Sequence, residues 1–150
     1  MGLDRKYLPS FSELVDRLTI LQLKEIFIQE NKKEYLKEMQ DIMYDMDTIL
    51  SETDVKLDSN LIRYIIILAQ YNLHIWHNES EARKGNKDGN RLLLTHSLNG
   101  VRCRYRNKVE EYVGGRKDYK VDSIAADFCE WEPGLIEENL MPEPEEDLPF

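Results

Sequence analysis

The segment from Asn60 to Arg83, NLIRYIIILAQYNLHIWHNESEAR, decides how this chain folds. At about 3.6 residues per turn, Leu61, Ile65, Leu68, Asn72, Trp76, Glu79 and Arg83 follow one another down one helix face. The first part of that face is apolar and belongs to a core. Its last part carries an amide, a carboxylate and a guanidinium, which are costly to bury unless they pair. The spacing therefore predicts either a hydrogen-bonded network or a ligand at this end. Asn72, Trp76, Glu79 and Arg83 are expected to point inward, and Glu79 and Arg83 also stand at i and i+4, where they can pair. Asp16 and Arg17 in the first helix, and Arg102 and Arg106 in the fourth, are the candidate partners. A structural polar network is the first reading of this line. A small pocket for an anionic or nucleotide-like ligand is the second.

Helical periodicity extends outward on both sides. Ser10 and Glu13 have the spacing of a capping box, which starts a helix at Phe11 that is expected to run to about Glu30. Phe11, Leu14, Leu18, Leu21 and Ile28 mark its main buried face, and Ile20, Leu23 and Phe27 form a second stripe on the opposite side. Such a helix is either central in a bundle or part of an oligomer interface. A second helix, from about Lys32 to Ser51, carries Tyr35, Met39, Ile42, Met46 and Ile49 as the seam of a coiled-coil-like pair. After a polar turn from Thr53 to Asp58, the third helix is capped by Asp58 or Ser59 and extends to about Lys84. Gly85 to Asn90 supplies turn-tolerant residues. A fourth helix then aligns Leu94, Leu98, Val101, Tyr105, Val109 and Tyr112, and Gly114-Gly115 ends it.

Short loops between long amphipathic helices favour antiparallel neighbours. The expected fold is all-α, a four-helix bundle-like domain over residues 1–129 with an acidic, Pro-containing C-terminal tail over residues 130–150. A short helix from Asp122 to Cys129 is expected to lie against the bundle before the tail begins.

Composition agrees with one such domain, since 150 residues at 41% hydrophobic and 33% charged suffice for a proper core. Cys103 and Cys129 stand far apart with no Cys-x-x-Cys, which argues against a zinc finger or a disulfide framework and suits a reducing cytoplasm. No run reaches the roughly eighteen apolar residues of a membrane helix, so no membrane association is expected. Charge is uneven. Residues 130–150 hold eight acids and no Lys or Arg, which is −8 of the net −9 and leaves the body near −1. A near-neutral body gives no general reason to bind nucleic acid. The basic cluster Arg102, Arg104, Arg106 and Lys108 spreads around its helix, which suits solvated or salt-bridged roles.

Other chemistry is sparse. His74, His77 and Glu81 have helical spacings that could assemble a divalent metal site, although exposed His and Glu at such spacings are common and no cofactor is the first expectation. Glu34, Glu38 and Asp41 could face Glu79 and Glu81 in a metal-dependent hydrolase, but they lie beside the apolar seam of their helix. There is no Gly-rich phosphate loop, nucleophile elbow or Cys/His dyad. In the tail, Trp131, Leu148 and Phe150 are isolated hydrophobes among acids and prolines, a composition that suits either a solvated extension or a docking arm for a protein partner.

The run Trp76-His77-Asn78-Glu79-Ser80-Glu81-Ala82-Arg83, preceded by Asn72, resembles the Asn…Trp-His-x-Glu-Asp-x-x-Arg signature of an uncharacterised bacterial family of short all-helical proteins. Ser12 to Leu21 is similar to a Glu-Leu-Ile-Asp-Lys-Leu-Thr-Ile-Leu segment that begins a related uncharacterised family. These stretches cover about a fifth of the chain. The resemblance implies a helical fold and no particular activity; genes of those families often lie beside sugar-transferase genes. Ser80 stands where the signature has Asp, so a role that needs paired carboxylates there does not carry over.

The function expected from the sequence is that of an accessory or regulatory factor acting through protein contacts, with a homodimer suggested by the second stripe of the first helix and the Met-rich second helix. The alternative is a small-ligand-binding protein or metal-dependent hydrolase centred on the polar end of the third helix.

Overall fold

A computed structural model of the chain describes residues 7–85, 90–115 and 133–134, with residues 90–92 described by backbone alone. The described residues form helices and connections without a strand: α1 (Phe11–Phe27), α2 (Lys32–Glu52), α3 (Ser59–Arg83) and α4 (Asn90–Val113). The fold is all-α, as the periodicity predicted.

Several of the starts and stops have a local cause. At α1 the Ser10 hydroxyl accepts from the Glu13 N–H, and the Glu13 carboxylate accepts from the Ser10 N–H at 3.2 Å, which completes the capping box. The helix ends at Phe27 rather than near Glu30, because Ile28 is extended and Asn31 takes the left-handed conformation with φ 61°. Asn reaches that conformation at lower cost than most residues, and it turns the chain into α2 without a glycine. At α3 the Asp58 carboxylate accepts from the Leu61 N–H at 2.8 Å. Gly114, at φ 68°, ends α4.

Asp58 also accepts a hydrogen bond from the Tyr112 hydroxyl at 2.8 Å, which ties the start of α3 to the end of α4. The Leu61 N–H and then the Tyr112 hydroxyl hold the Asp58 carboxyl below its ordinary range. Because the folded value lies below the unfolded one, this stabilisation is complete above the unfolded value and is lost as pH falls through the lowered folded value. Asp58→Asn keeps a capping oxygen but no charge. The gap in Tm between wild type and this variant is therefore expected to be widest near pH 7, at about 3 °C, and to narrow as melting is followed below pH 4. A gap constant with pH would refute the assignment.

Helix α1 is the shared element, with apolar residues packed on two sides. On one side Phe11 and Val15 join Leu61, Ile67 and Leu68 of α3 and Val101, Tyr105 and Val109 of α4 in the main core. On the other, Leu14 and Leu21 pack on Met39 and Ile42 of α2, with Leu18, Tyr35, Met46 and Ile49 around them. The pairs Arg17 with Glu38, Asn78 with Thr95 and Asn72 with Arg102 show α1 antiparallel to α2 and α3 antiparallel to α4. Helix α2 packs on α1 and touches α3 and α4 only marginally. Its outer residues Leu36, Met43 and Leu50, and Ile62, Ile66 and Leu73 of α3, consequently stay exposed.

The buried face of α3 departs from the sequence expectation after Asn72. Ile75 and Asn78 are buried there, Trp76 is half-buried, and Glu79 and Arg83 are exposed rather than inward. The cause lies in α1, which runs out at Phe27. The Phe27 ring stacks on Trp76 with centroids 5.5 Å apart. Past that level α1 no longer covers α3, while α4 still does, and Asn78 donates to the Thr95 hydroxyl.

No helix among the described residues is long and apolar enough to cross a membrane. The expected short helix Asp122 to Cys129 and the tail residues Trp131, Leu148 and Phe150 lie outside the described residues. At Gly134 the carbonyl accepts from Arg63 of α3 at 2.8 Å.

Candidate functional site

The polar end of α3 forms the wall of a cleft between α1, α3 and α4. Asn72 is at its floor, 4% exposed, and the whole amide is engaged. Its Nδ2 donates to Asp16 Oδ1 and to Thr19 Oγ1, each at 2.7 Å, and its Oδ1 accepts from Arg102 Nη1 at 3.3 Å. The Thr19 hydroxyl in turn donates to the Asp16 carbonyl at 2.7 Å. Asp16, itself buried, has its second oxygen 3.7 Å from Arg106 Nη1. A buried carboxylate without such partners would cost several kcal/mol, so these groups form a mutually required set.

Of the four expected partners, Asp16, Arg102 and Arg106 therefore join this set and Arg17 does not. Arg102 reaches Asn72, and Arg106 stands beside Asp16. Arg17 instead lies on the opposite, exposed side of α1, where its Nε and Nη2 donate to Glu38 of α2 at 3.1 and 2.8 Å. Adjacent positions on a helix point about 100° apart, so Asp16 and Arg17 could not both face α3.

Above this floor the cleft opens with a volume of about 460 Å³. Helix α1 contributes Ile20, Leu23 and Lys24; α3 contributes Asn72, Ile75, Trp76, Glu79 and Arg83; α4 contributes Asn99 and Arg102. Glu79 and Arg83, although exposed, thus converge with Asn72, Trp76 and Arg102 on one cavity. Lys24, Glu79 and Arg83 make no hydrogen bond or ion pair with another side chain among the described residues, so the expected i, i+4 pair of Glu79 with Arg83 does not form. Arg102 has spent Nη1 on Asn72, and its buried Nε has no hydrogen-bond partner. The Asn99 amide donates to the Thr95 carbonyl at 3.0 Å.

Lys24 and Asn99 were missed from the sequence. Lys24 follows Ile20 by four residues and thus continues the second stripe of α1, and Asn99 precedes Arg102 by three, so the helical spacings held the signal. Asn78, Ser97 and Glu110 are also buried. Nothing in their local spacing sets them apart from surface residues.

The other candidates are dispersed. His74 is half-buried and His77 exposed, and Glu81 stands 3.6 Å from Lys84; among the described residues no three His, Cys, Asp or Glu side chains are grouped to hold a metal. Of the α2 acids, Glu38 is bound to Arg17 and Asp41 to Lys37, and α2 does not run beside α3. The basic cluster of α4 is divided as well. Arg102 and Arg106 serve the polar floor, and Lys108 stands over the rings of Tyr64 and Tyr105 at 5.5 and 5.8 Å from their centroids.

In comparisons with protein families, curated proteins and solved structures, the chain matches none of them.

Proposed function

We propose that this protein binds a small anionic molecule in the cleft between α1, α3 and α4. The observation that carries the reading is a division of labour among its polar groups. The floor residues Asp16, Thr19 and Asn72 satisfy one another, whereas Lys24 and Arg83 line the same cavity without partners, beside an Arg102 whose buried Nε makes no hydrogen bond. A purely structural network would pair its charges internally. Three cations against one carboxylate leave the lining at +2, in a chain whose net charge is −9.

Thermal melting with inorganic phosphate tests this, because a ligand that binds only the folded state raises stability by about 2.7 kcal/mol at one hundred times its Kd. For a chain of this length that is a rise in Tm of about 8 °C. The double variant Lys24→Ala, Arg83→Ala removes two rim cations that hold no structural contact. It is expected to keep the unliganded Tm and lose most of the phosphate response. An equal response in both proteins would reflect general salt stabilisation and would remove the reading.

A second reading, action through protein contacts as an accessory or regulatory factor, is favoured by the outer seam of α3. Ile62 and Ile66 are 47% and 49% exposed and continue through Ala69 to Leu73 at spacings of four, three and four. Such a stripe is the seam that packs against another helix. If it does so between copies of this chain, Ile66→Glu is expected to halve the mass found by sedimentation. A wild-type protein that sediments as a monomer would leave the seam to a different partner or to none.

A further inference from the structure

Building on the anion-site reading, we infer that the occupant of the cleft is a phosphorylated polyol, meaning a phosphate monoester whose carbon skeleton carries hydroxyl groups. Size is the first argument. A cavity of about 460 Å³ belongs to the class that holds organic ligands and exceeds the needs of a bare oxyanion.

The acceptors in the lining supply the second argument. Glu79 puts a carboxylate in a cleft whose other charged residues are cations, where it would oppose an inorganic anion. It is consistent with an anionic ligand only if that ligand also offers hydrogen-bond donors. Asn99 can serve in the same way, because one N–H of its amide is held by the Thr95 carbonyl and its Oδ1 remains an acceptor.

Charge then selects among ligands that have both an anion and donors. An amino acid would offer a carboxylate and an ammonium but carries no net charge, against a lining at +2. A hydroxy acid carries −1. A phosphate monoester carries about −1.5 to −2 at pH 7 and brings three acceptor oxygens, enough for the three cations of the lining, Lys24, Arg83 and Arg102. Hydroxyl groups on the same molecule would donate to Glu79 and Asn99. Its carbon-bound face would lie against Trp76, one side of which Phe27 already covers, and against Ile75 and Leu23.

Isothermal titration of the full chain with ribose 5-phosphate, AMP, inorganic phosphate, ribose and serine tests the inference, alongside Glu79→Ala. Glu79 is exposed and engages no other side chain, so the variant is expected to fold as wild type does. Ribose 5-phosphate should bind at least about tenfold more tightly than phosphate, a gap of about 1.4 kcal/mol. Glu79→Ala should weaken ribose 5-phosphate by a similar factor while phosphate binds equally well or more tightly, because a like charge has gone. The opposite signs separate a hydroxyl contact from a change in overall charge. AMP binding as well as ribose 5-phosphate would place the source among nucleotides, and AMP excluded would place it among free sugar phosphates; both support the inference. Phosphate binding as tightly as ribose 5-phosphate, or serine binding more tightly than either, would overturn the polyol while leaving an anion site. If none of the probes binds, the anion-site reading fails and this inference with it.

Discussion

Asn72→Leu is expected to lower the unfolding free energy by about 3 kcal/mol, seen as a fall in Tm of about 9 °C. The side chains are similar in size, so the cost comes from the groups left behind. Asp16 loses its 2.7 Å donor, Thr19 loses another, and Arg102 loses the acceptor that holds Nη1, all in a buried setting. A single neutral hydrogen bond contributes about 1 kcal/mol, but a buried carboxylate left short of donors costs considerably more. The shared bond gives a sharper check. Thr19→Val alone should cost about 1 kcal/mol, and the double variant should cost about 1 kcal/mol less than the sum of the two singles, since both remove the same contact. Strict additivity would mean that Thr19 and Asn72 do not act together.

Leu68→Ala should be at least as damaging, at about 3 to 4 kcal/mol and a loss of roughly 10 °C in Tm. Leu68 is fully buried one turn before Asn72, among Phe11, Val15, Val101, Tyr105 and Val109. Those neighbours come from helices held at both ends by caps and cross-links, so they are poorly placed to collapse into the space left by the side chain. The outcome should differ from that of Asn72→Leu in its effect on the cleft. The core variant keeps every polar contact at the floor, so at temperatures where it remains folded its phosphate response should survive. Loss of ligand response in step with stability would show that cleft and core are a single cooperative unit. An unfolding cost below about 1.5 kcal/mol would mean that the site relaxes freely and that the packing described around Leu68 is not rigid.

The sequence carried much of this in short windows. The Ser10–Glu13 box, the Asp58 cap, the α2 seam through Met39 and Ile42, and the Gly114 terminator were all legible, because each depends on side chains and backbone within a few residues of one another. Asn72, Trp76, Glu79, Arg83 and Arg102 were likewise legible as a set, since polar residues continuing an apolar helix face are unusual wherever that face is buried. That face does not stay buried to its end. Glu79 and Arg83 lie at the rim, and Asn78 took the interior place beside Thr95. The chain also turned extended at Ile28, closing α1 about three residues early without Gly or Pro to announce it.

By itself, then, the sequence determined four helices, their caps and the one helix end where polar chemistry gathers, because periodicity and capping are local physics. The tertiary structure alone decided that α1 is shared between two cores, that Phe27 ends its cover over α3 at Trp76, and that Arg17 leaves the site while Lys24 and Asn99 enter it. Those outcomes depend on where three helices stop relative to one another. Which polar groups are spent on each other, and which are left without a partner, is a balance struck across all three, and no single stretch of the chain contains it.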